Sequence, residues 1–546
     1  LPKVTIDGKT YDAPEGANVL EVCHAFGVKM EHFCYHRYLK VDGNCRTCMV
    51  EVEGPRGRAL VTGCTTPVTE GMVVHTVSPK AEQARRSALE FLLLDHPLDC
   101  PVCDKAGECR LQDNYMEHGL HDARRGVPRF FKGGKAVDVG EHIVLDQERC
   151  ILCRRCVRFL DAVTGTNELC VTGRGHESVL DLFPGKRLNN AYSGCVTDVC
   201  PVGALTLKEF RFKQRVWLLK KTQSVCDGCA RGCNITLEHN RGRVWRIMPR
   251  ENPELNRVWI CDEGRLGFAK LREDRLEGAR REGRPLPWAE AFAKAAETLR
   301  GYQRGEVAVF ASPWASLEDN WMLQRLFQAR FDPRDMAAPA PAAVGTCDDI
   351  LRLSDKTPNA TGLRWLGIPS DPTSILKGIE SGRLKALVMM ENDPIEWGGD
   401  HYQALLRRLP FRLLMTPYRT AGVDEATFTL PVRAFAEKDG TFLNAEGRLQ
   451  RFRRAVDPSD ATVRSSSMLL SSLAKREGAP ELEFQSEAEV FDAMARERGD
   501  LDGLTFETIP ATGKVLGLST DAPPPFKRGG ANPNVVPPEG RGRRMP

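Results

Sequence analysis

The chain has 546 residues, 41% hydrophobic and 27% charged, enough length for three or four domains, which excludes a peptide or a single small module. Its formal net charge of +4 at pH 7 gives no electrostatic reason to expect nucleic acid or an anionic membrane surface as partner. With 48 Gly and 35 Pro it is loop-rich, yet neither collagen-like nor globally disordered.

In chain order, Leu1 to Tyr11 alternates Val4 and Ile6 with polar neighbours around Asp7-Gly8, which predicts a hairpin and not a signal peptide. A helix follows over Val19 to Phe26, stopped by Gly27, then a cysteine-rich loop and short strands such as Met72 to Val77. Residues 80–96 place Ala84, Ala88, Phe91, Leu92 and Leu94 at mostly helical spacing and end before Pro97. The charged stretch Leu271 to Pro285 marks a change of composition. Beyond residue 306, Val307 to Phe310 and Ala386 to Met390 read as buried strands, and Leu317 to Phe331 and Thr373 to Ser381 as helices, so this half is α/β. Residues 520–546, with Pro523-Pro524-Pro525, read as an extended tail. No stretch approaches 18 uninterrupted apolar residues, so direct membrane insertion is not expected.

Eighteen of the 19 cysteines precede residue 262. In a long chain, C-x-x-C groups point to metal binding or redox chemistry in a reducing compartment, not to a disulfide scaffold. The first group is Cys34-x10-Cys45-x2-Cys48-x15-Cys64, inside the β-rich module. Plant-type [2Fe-2S] proteins use C-x4-C-x2-C and a remote fourth Cys, so the first spacing departs from that pattern and zinc stays open as the alternative. Cys23 reads as a buried thiol, and His32 and His36 flank Cys34 without usable ligand spacing. The second group, Cys100-x2-Cys103-x5-Cys109, needs a fourth ligand: His96 is nearest, with Cys64 or Cys170 as competitors. An imidazole in place of a thiolate would leave a cluster one unit less negative and favour its reduction.

The third group carries the strongest signal. Cys150-x2-Cys153-x2-Cys156 with Cys200-Pro201 matches one half of the two-cluster ferredoxin pattern, but Leu160 and Val196 stand where a second cluster would need cysteines. One [4Fe-4S] cluster is expected, leaving Cys170 and Cys195 as ordinary thiols. The fourth group, Cys226-x2-Cys229-x3-Cys233-x27-Cys261, fits a zinc ribbon or an iron-sulfur site by spacing, and its neighbours tilt the choice to iron. Arg46, Lys105, Arg110, Arg154, Arg155, Arg158 and Arg231 lie in or beside these groups. Solvation is their plain role; Arg154, Arg155 and Arg158 are also placed to offset the negative charge of the third site and raise its potential. Gly8-Lys9-Thr10 lacks the upstream glycine of a P-loop, and Gly173-Arg174-Gly175 lacks the third glycine of a dinucleotide fingerprint.

Taken in order, FCYH, GNCRTC, LDHPLDCPVCDKAGEC, ERCILCRRCVRF and SGCVTDVCPVGAL resemble the large iron-sulfur subunit (the 75 kDa-type or G subunit) of respiratory NADH:quinone oxidoreductase, complex I. VCDGCARGCN, ICDEGRLGF and EKDGTFLNAEGRLQ resemble the molybdopterin oxidoreductases. The resemblance implies a multidomain α+β and α/β chain. Its domains would be a β-grasp [2Fe-2S] ferredoxin-like domain over 1–78, a His/Cys3 [4Fe-4S] domain over 79–121 and a [4Fe-4S] ferredoxin-like domain over 142–221. A molybdopterin-oxidoreductase-type [4Fe-4S] domain over 222–278, a truncated α/β region over 279–519 and the tail 520–546 would follow. It implies His96 as the fourth ligand of the second site, and one [2Fe-2S] and three [4Fe-4S] clusters in all. The fourth cluster occurs in only some bacterial members, off the main electron route. Cys347, the one late cysteine, lacks the Cys-His pairing of formate dehydrogenases, so no molybdenum is expected.

The function so implied is electron transfer, with no catalytic residue and no NADH or quinone site in this chain. Partners would be a flavin-bearing NADH-oxidising subunit, other peripheral-arm subunits and, through the complex, the membrane arm, on the cytoplasmic side of a bacterial inner membrane. The alternatives are the iron-sulfur subunit of a soluble NAD-linked hydrogenase or formate dehydrogenase and, in a different class, a zinc-stabilised interaction scaffold. An iron-only hydrogenase would need further late cysteines and a formate dehydrogenase would need molybdenum or tungsten.

Overall fold

The computed structural model describes residues 1–119, 129–330, 333–341, 345–518 and 525–526. Of the expected features, Phe331, the domain ends at 121 and 519, and the tail 520–546 apart from Pro525 and Phe526 lie outside these residues. The described residues fall into two compact units, Leu1–Leu219 and Lys220–Pro525, with Phe526 counted with the first.

In the first unit Asp7 and Gly8 take φ of +47° and +82°, the left-handed pair that a two-residue hairpin turn demands. They join β1 (Lys3–Ile6) to β2 (Lys9–Asp12). Helix α1 (Val19–Ala25) starts at a capping box, in which the Glu21 N–H donates to Asn18 Oδ1 and the Asn18 N–H to Glu21 Oε2, both at 3.0 Å. With β3 (Met49–Gly54), β4 (Gly57–Thr62) and β5 (Met72–His75) the hairpin forms a sheet of order β2-β1-β5-β3-β4, in which β1 and β5 run parallel. Val4, Val19, Leu20, Val22, Val50 and Val74 are its fully buried core.

Helix α2 (Pro79–Leu93) begins with Ser78 as cap and Pro79 in its first turn, and α3 (Arg110–His118) follows the second cysteine group. Next come β6 (Val137–Asp138), β7 (Ile143–Leu145), α4 (Arg155–Phe159), β8 (Leu169–Thr172), β9 (Val179–Leu182), α5 (Cys195–Val199) and β10 (Leu205–Leu207). Strands β10, β7 and β6 make one small sheet and β8 and β9 another.

The second unit opens with an antiparallel sheet of β11 (Lys220–Val225), β12 (Asn234–Asn240) and β13 (Arg243–Pro249), followed by α6 (Asp262–Leu266) and α7 (Lys270–Glu273). The charged stretch carries the hairpin of β14 (Arg280–Arg281) and β15 (Arg284–Pro285). Beyond it lie α8 (Trp288–Arg300), β16 (Val307–Phe310), α9 (Leu317–Arg330), β17 (Met336–Ala337), α10 (Ala360–Leu366), α11 (Thr373–Glu380), β18 (Ala386–Met390), α12 (Pro394–Leu406), β19 (Phe411–Thr416) and β20 (Phe428–Pro431). The sheet order β15-β14-β20-β19-β18-β16-β17 is parallel from β20 to β17, and β14 pairs antiparallel with β20.

Strands β16 and β18 are buried on both faces, which is why they read as continuous apolar runs. Val307, Val309 and Val388 share a core with Phe292, Trp321, Leu323 and, from α13 (Ser466–Glu477), Leu469. The alternate residues Ala308, Phe310, Leu387 and Met389 pack instead with Ile375, Ile379 and Leu406. Helices thus cover both faces, as in a doubly wound sheet. A small sheet of β21 (Gly440–Leu443), β22 (Arg448–Phe452) and β23 (Lys514–Val515), and α14 (Glu487–Glu497), complete the unit.

A polar network lies inside this unit. The Lys438 ammonium is 2.6 Å from Asp319 and 2.9 Å from Glu391. Beside it the Glu318 carboxylate accepts from the Thr441 N–H at 2.9 Å and the Thr441 hydroxyl at 2.8 Å. Burial pushes the Glu318 carboxyl up to about 8. The folded state therefore keeps a proton that the unfolded chain loses at an ordinary carboxylate pKa. The stabilisation is complete below about pH 4.5 and is lost as pH rises through about 8, with a slope of at most about 1.4 kcal/mol per pH unit. Chemical denaturation across pH 5 to 8 should show the wild type losing stability relative to Glu318→Gln, whose uncharged amide removes the slope.

Candidate metal centres

All 19 cysteines are free thiols, and those of the four groups are gathered into four places. In site 1, Cys34 and Cys45 come from the loop after α1, Cys48 from the approach to β3 and Cys64 from the turn after β4. The thiols pair as Cys34 with Cys45 and Cys48 with Cys64, and Cys34 also meets Cys64. Hydrogen bonds from Cys45 and Cys64 lower the Cys34 pKa, and the shared proton raises that of Cys45. Backbone N–H groups of Phe33 and Cys34 donate to Cys45 Sγ at 3.4 and 3.3 Å, so negative charge on sulfur is met by the main chain. Two pairs of thiols are the donor set a [2Fe-2S] rhomb needs, with two cysteines for each iron.

Site 2 joins the end of α2 to the start of α3. Cys103 and Cys109 are buried, Cys100 is exposed between the exposed side chains of Leu98 and Val102, and burial raises Cys109 to about 11. His96 Nδ1 is buried without a hydrogen-bond partner. Burial, with Arg149 and Lys132 nearby, lowers the His96 imidazole to about 4, so the ring is neutral and keeps a lone pair to offer. Cys64, a competing fourth ligand, belongs to site 1, and Cys170 sits on β8.

Site 3 is built from Cys150 and Cys153, which lead into α4, Cys156 in its first turn, and Cys200, which ends α5. Leu152 and Arg154 take left-handed φ of +53° and +59°. The four thiols line one pocket with Ile151, Val171, Leu180 and Val202. Burial pushes Cys150 up to about 11 and Cys153 to about 12. Cys195 lies on the same short helix as Cys200's approach but is not part of that lining.

Site 4, in the second unit, takes Cys226, Cys229 and Cys233 from the β11–β12 connection and Cys261 from the cap of α6, where its Sγ accepts from the Gly264 N–H at 3.4 Å. A Cβ on Gly264 would lie 2.8 Å from Cys226 Sγ, so only glycine lets α6 come this near. Burial raises Cys226 and Cys233 well above the ordinary thiol range and Cys261 to about 12.

The thiol spacing bears on which metal fits. Among the described residues the trio of His, Cys, Asp or Glu ligand atoms lying within 4.8 Å of one another is Glu31, Glu117 and His118, none of them in the four sites. Four thiolates on one tetrahedral zinc ion at 2.3 Å would stand only about 3.8 Å apart. Among the described residues no three thiols of one site lie within 4.8 Å of one another.

In the first unit the ligand loops touch one another. Asn44, beside Cys45, donates to the Leu152 carbonyl at 2.7 Å, and Arg155 and Arg158 reach from site 3 to the carbonyls of Tyr35 and Cys34. Between sites 3 and 2, Arg149 Nη2 lies 3.1 Å from Asp99, pairing the residue before Cys150 with the residue before Cys100. A Cβ on Gly203 would come 2.3 Å from Cys103 Sγ. Arg110, next to Cys109, donates to His32 Nε2 at 2.9 Å. No sequence pattern marks these bridges, although Gly203 stands in the legible Cys200-Pro201-Val202-Gly203 run. Of the flagged basic residues, Arg46 is exposed, while Arg155 and Arg231 are buried and engaged.

At the carboxyl ends of the parallel strands, where open α/β sheets take ligands, the polar groups are engaged with one another. Asn392 donates to the carbonyls of Ala311 and Pro339, each at 2.8 Å, and the Ser312 hydroxyl to that of Glu391 at 2.7 Å, beside the Lys438 network. Cys347 is exposed.

Because a methyl group at residue 203 would collide with Cys103 Sγ, Gly203→Ala should destabilise the first unit by about 1–3 kcal/mol. A lowered thermal midpoint would show it; the same substitution at Gly54, where the added carbon meets only the Gly57 carbonyl at an ordinary 3.6 Å, controls for backbone entropy.

Family models match in series. A 2Fe-2S iron-sulfur cluster binding domain covers residues 3–79, the NADH-ubiquinone oxidoreductase-G iron-sulfur binding region 85–124, and the ferredoxin-like domain of NADH-quinone oxidoreductase subunit 3 residues 140–206. An NDSU1/NuoG-like 4Fe-4S domain of NADH-ubiquinone oxidoreductase covers 219–269, and a molybdopterin oxidoreductase model 359–476. The G subunit of NADH-quinone oxidoreductase from Streptomyces coelicolor is 39% identical over 345 residues, 62% of this chain and 40% of that one. The protein of the same name from Rickettsia felis is 37% identical over 60% of this chain and 49% of its own length. The mitochondrial NADH-ubiquinone oxidoreductase 78 kDa subunit of Neurospora crassa is 43% identical over 55% and 40%. A chain of an NAD+-reducing [NiFe]-hydrogenase, solved in the H2-reduced state, is 30% identical over 39% of this chain and 91% of its own, at a TM-score of 0.35. The chain spans less than half the length of these curated relatives. Over its 2Fe-2S and 4Fe-4S domains the chain is similar to the NADH-quinone oxidoreductase G subunits.

Proposed function

We propose that this chain is an electron-transfer subunit of an NADH-quinone oxidoreductase. Site 1 (Cys34, Cys45, Cys48, Cys64) would hold a [2Fe-2S] cluster. Site 2 (His96, Cys100, Cys103, Cys109), site 3 (Cys150, Cys153, Cys156, Cys200) and site 4 (Cys226, Cys229, Cys233, Cys261) would each hold a [4Fe-4S] cluster. Such clusters, when bound, supply one-electron transfer without bond making. Electrons would come from a flavin-bearing, NADH-oxidising subunit and leave through other peripheral-arm subunits towards quinone, on the cytoplasmic face of a bacterial inner membrane. Among the described residues no helix is long and apolar enough to cross a membrane.

The observation that carries this reading is the direct contact between the ligand loops of sites 1, 3 and 2 within one compact unit. The chain's own residues hold the loops in register, shield the thiols from water and, at His96, present a neutral donor. Thiols raised by burial bind metal only by giving up their protons, so cluster loading releases acid and weakens as pH falls.

Anaerobic purification and metal analysis test the assignment. About 14 iron atoms per chain are expected, with little zinc or molybdenum. Stoichiometric zinc would replace it with a scaffold, and stoichiometric molybdenum with a formate dehydrogenase subunit. His96→Cys should keep a [4Fe-4S] signal with its reduction potential shifted downward, because a thiolate adds a negative charge. An unmoved potential would remove His96 from the ligand set.

A further inference from the structure

Helix α4 begins between two ligands of site 3 and presents Arg155 and Arg158 one turn apart. Arg155 is only 6% exposed. Its guanidinium donates to the carbonyl of Tyr35, next to Cys34, and to that of Val199, next to Cys200, at 3.4 Å. Arg158 donates to the carbonyls of Cys34 and Lys40 and, at 3.4 Å, to that of Cys153. Each arginine therefore grips main chain belonging to a ligand loop of site 1 and main chain belonging to site 3. In both, the Nε–H is buried without an acceptor.

The charges are as telling as the contacts. Arg154, in the same turn, faces the Asp42 carboxylate at 3.5 Å, whereas among the described residues Arg155 and Arg158 bond to carbonyls alone. A guanidinium taken out of water is costly unless an opposite charge lies close.

We propose that Arg155 and Arg158 are positioning residues shared by sites 1 and 3: two fixed cations that hold the two ligand loops together and raise the reduction potential of both sites at once. The inference rests on reading both sites as iron-sulfur centres. Adding an electron to a thiolate-ligated centre adds one negative charge, so a fixed cation beside two such centres favours the reduced form of each. Asn44 supplies the contrast, bridging the same loops to the Leu152 carbonyl without charge.

The test is a mediated redox titration of the full chain, reduced with dithionite and followed by electron paramagnetic resonance. Arg158→Gln should lower the midpoints of sites 1 and 3 together and leave those of sites 2 and 4 in place, with Arg155→Gln acting in the same direction. Arg158→Lys, which keeps the charge, should restore most of the shift, and Asn44→Ala should move neither midpoint. Because Arg155 is buried and its substitution can prevent folding, the half-buried Arg158 pair decides. Unmoved midpoints in Arg158→Gln with both signals present would overturn the proposal. So would Asn44→Ala lowering both midpoints as far as Arg158→Gln, since that would trace the shift to loop spacing. Absent signals in the unsubstituted chain would instead overturn the iron-sulfur reading itself, and this inference with it.

Discussion

Sulfur packed away from water resists ionisation, and all four sites impose that cost. Thirteen of the fifteen cysteines in the sites are buried, and burial is the leading reason Cys150, Cys153, Cys156, Cys226, Cys233 and Cys261 hold their protons. Within the thiol sets it is relieved only in part, as where hydrogen bonds from Cys45 and Cys64 lower Cys34 in site 1. Relief comes from the surroundings: main-chain N–H groups aimed at Sγ in sites 1 and 4, and guanidinium groups set between loops in the first unit. Much of the architecture follows from this need, because a donor that stabilises charge must be brought in from another segment and held there.

The two units answer it differently. In the first, small sheets and short helices frame loops, and the loops do the joining through arginine, asparagine and one glycine without a side chain to obstruct Cys103. In the second, site 4 sits on an antiparallel sheet, while the doubly wound sheet devotes its interior to a charged network around Lys438. That network satisfies itself, with Ser466 and Ser467 adding donors to Glu391 and Asp319. Removing one member would strand the others in a low-dielectric interior, so the network locks the region in one arrangement.

Local chemistry makes much of this legible. The Asp7-Gly8 turn, the caps at Asn18 and Ser78, and the apolar runs of β16 and β18 carry their structures in neighbouring residues, and each cysteine group announces itself by spacing. The bridges do not. Asn44 and Leu152 are 108 residues apart, Arg155 and Tyr35 120, and Lys438 and Asp319 119. No periodicity or turn signal marks such pairs, and an arginine beside a cysteine reads the same whether it faces water or another loop. Spacing leaves His96 open for a related reason: a histidine four positions from a cysteine has no signature until its buried Nδ1 is seen without a partner.

Strand β1 pairs in parallel with β5, through Val4 with Met72 and Ile6 with Val74. Strand β1 must therefore wait for one of the last strands of its own module. Until then the cysteines of site 1 travel on an open chain, each able to meet oxidants or stray metal. Because Cys64 precedes Met72 in the chain, this sheet can close only after every cysteine of site 1 has been made.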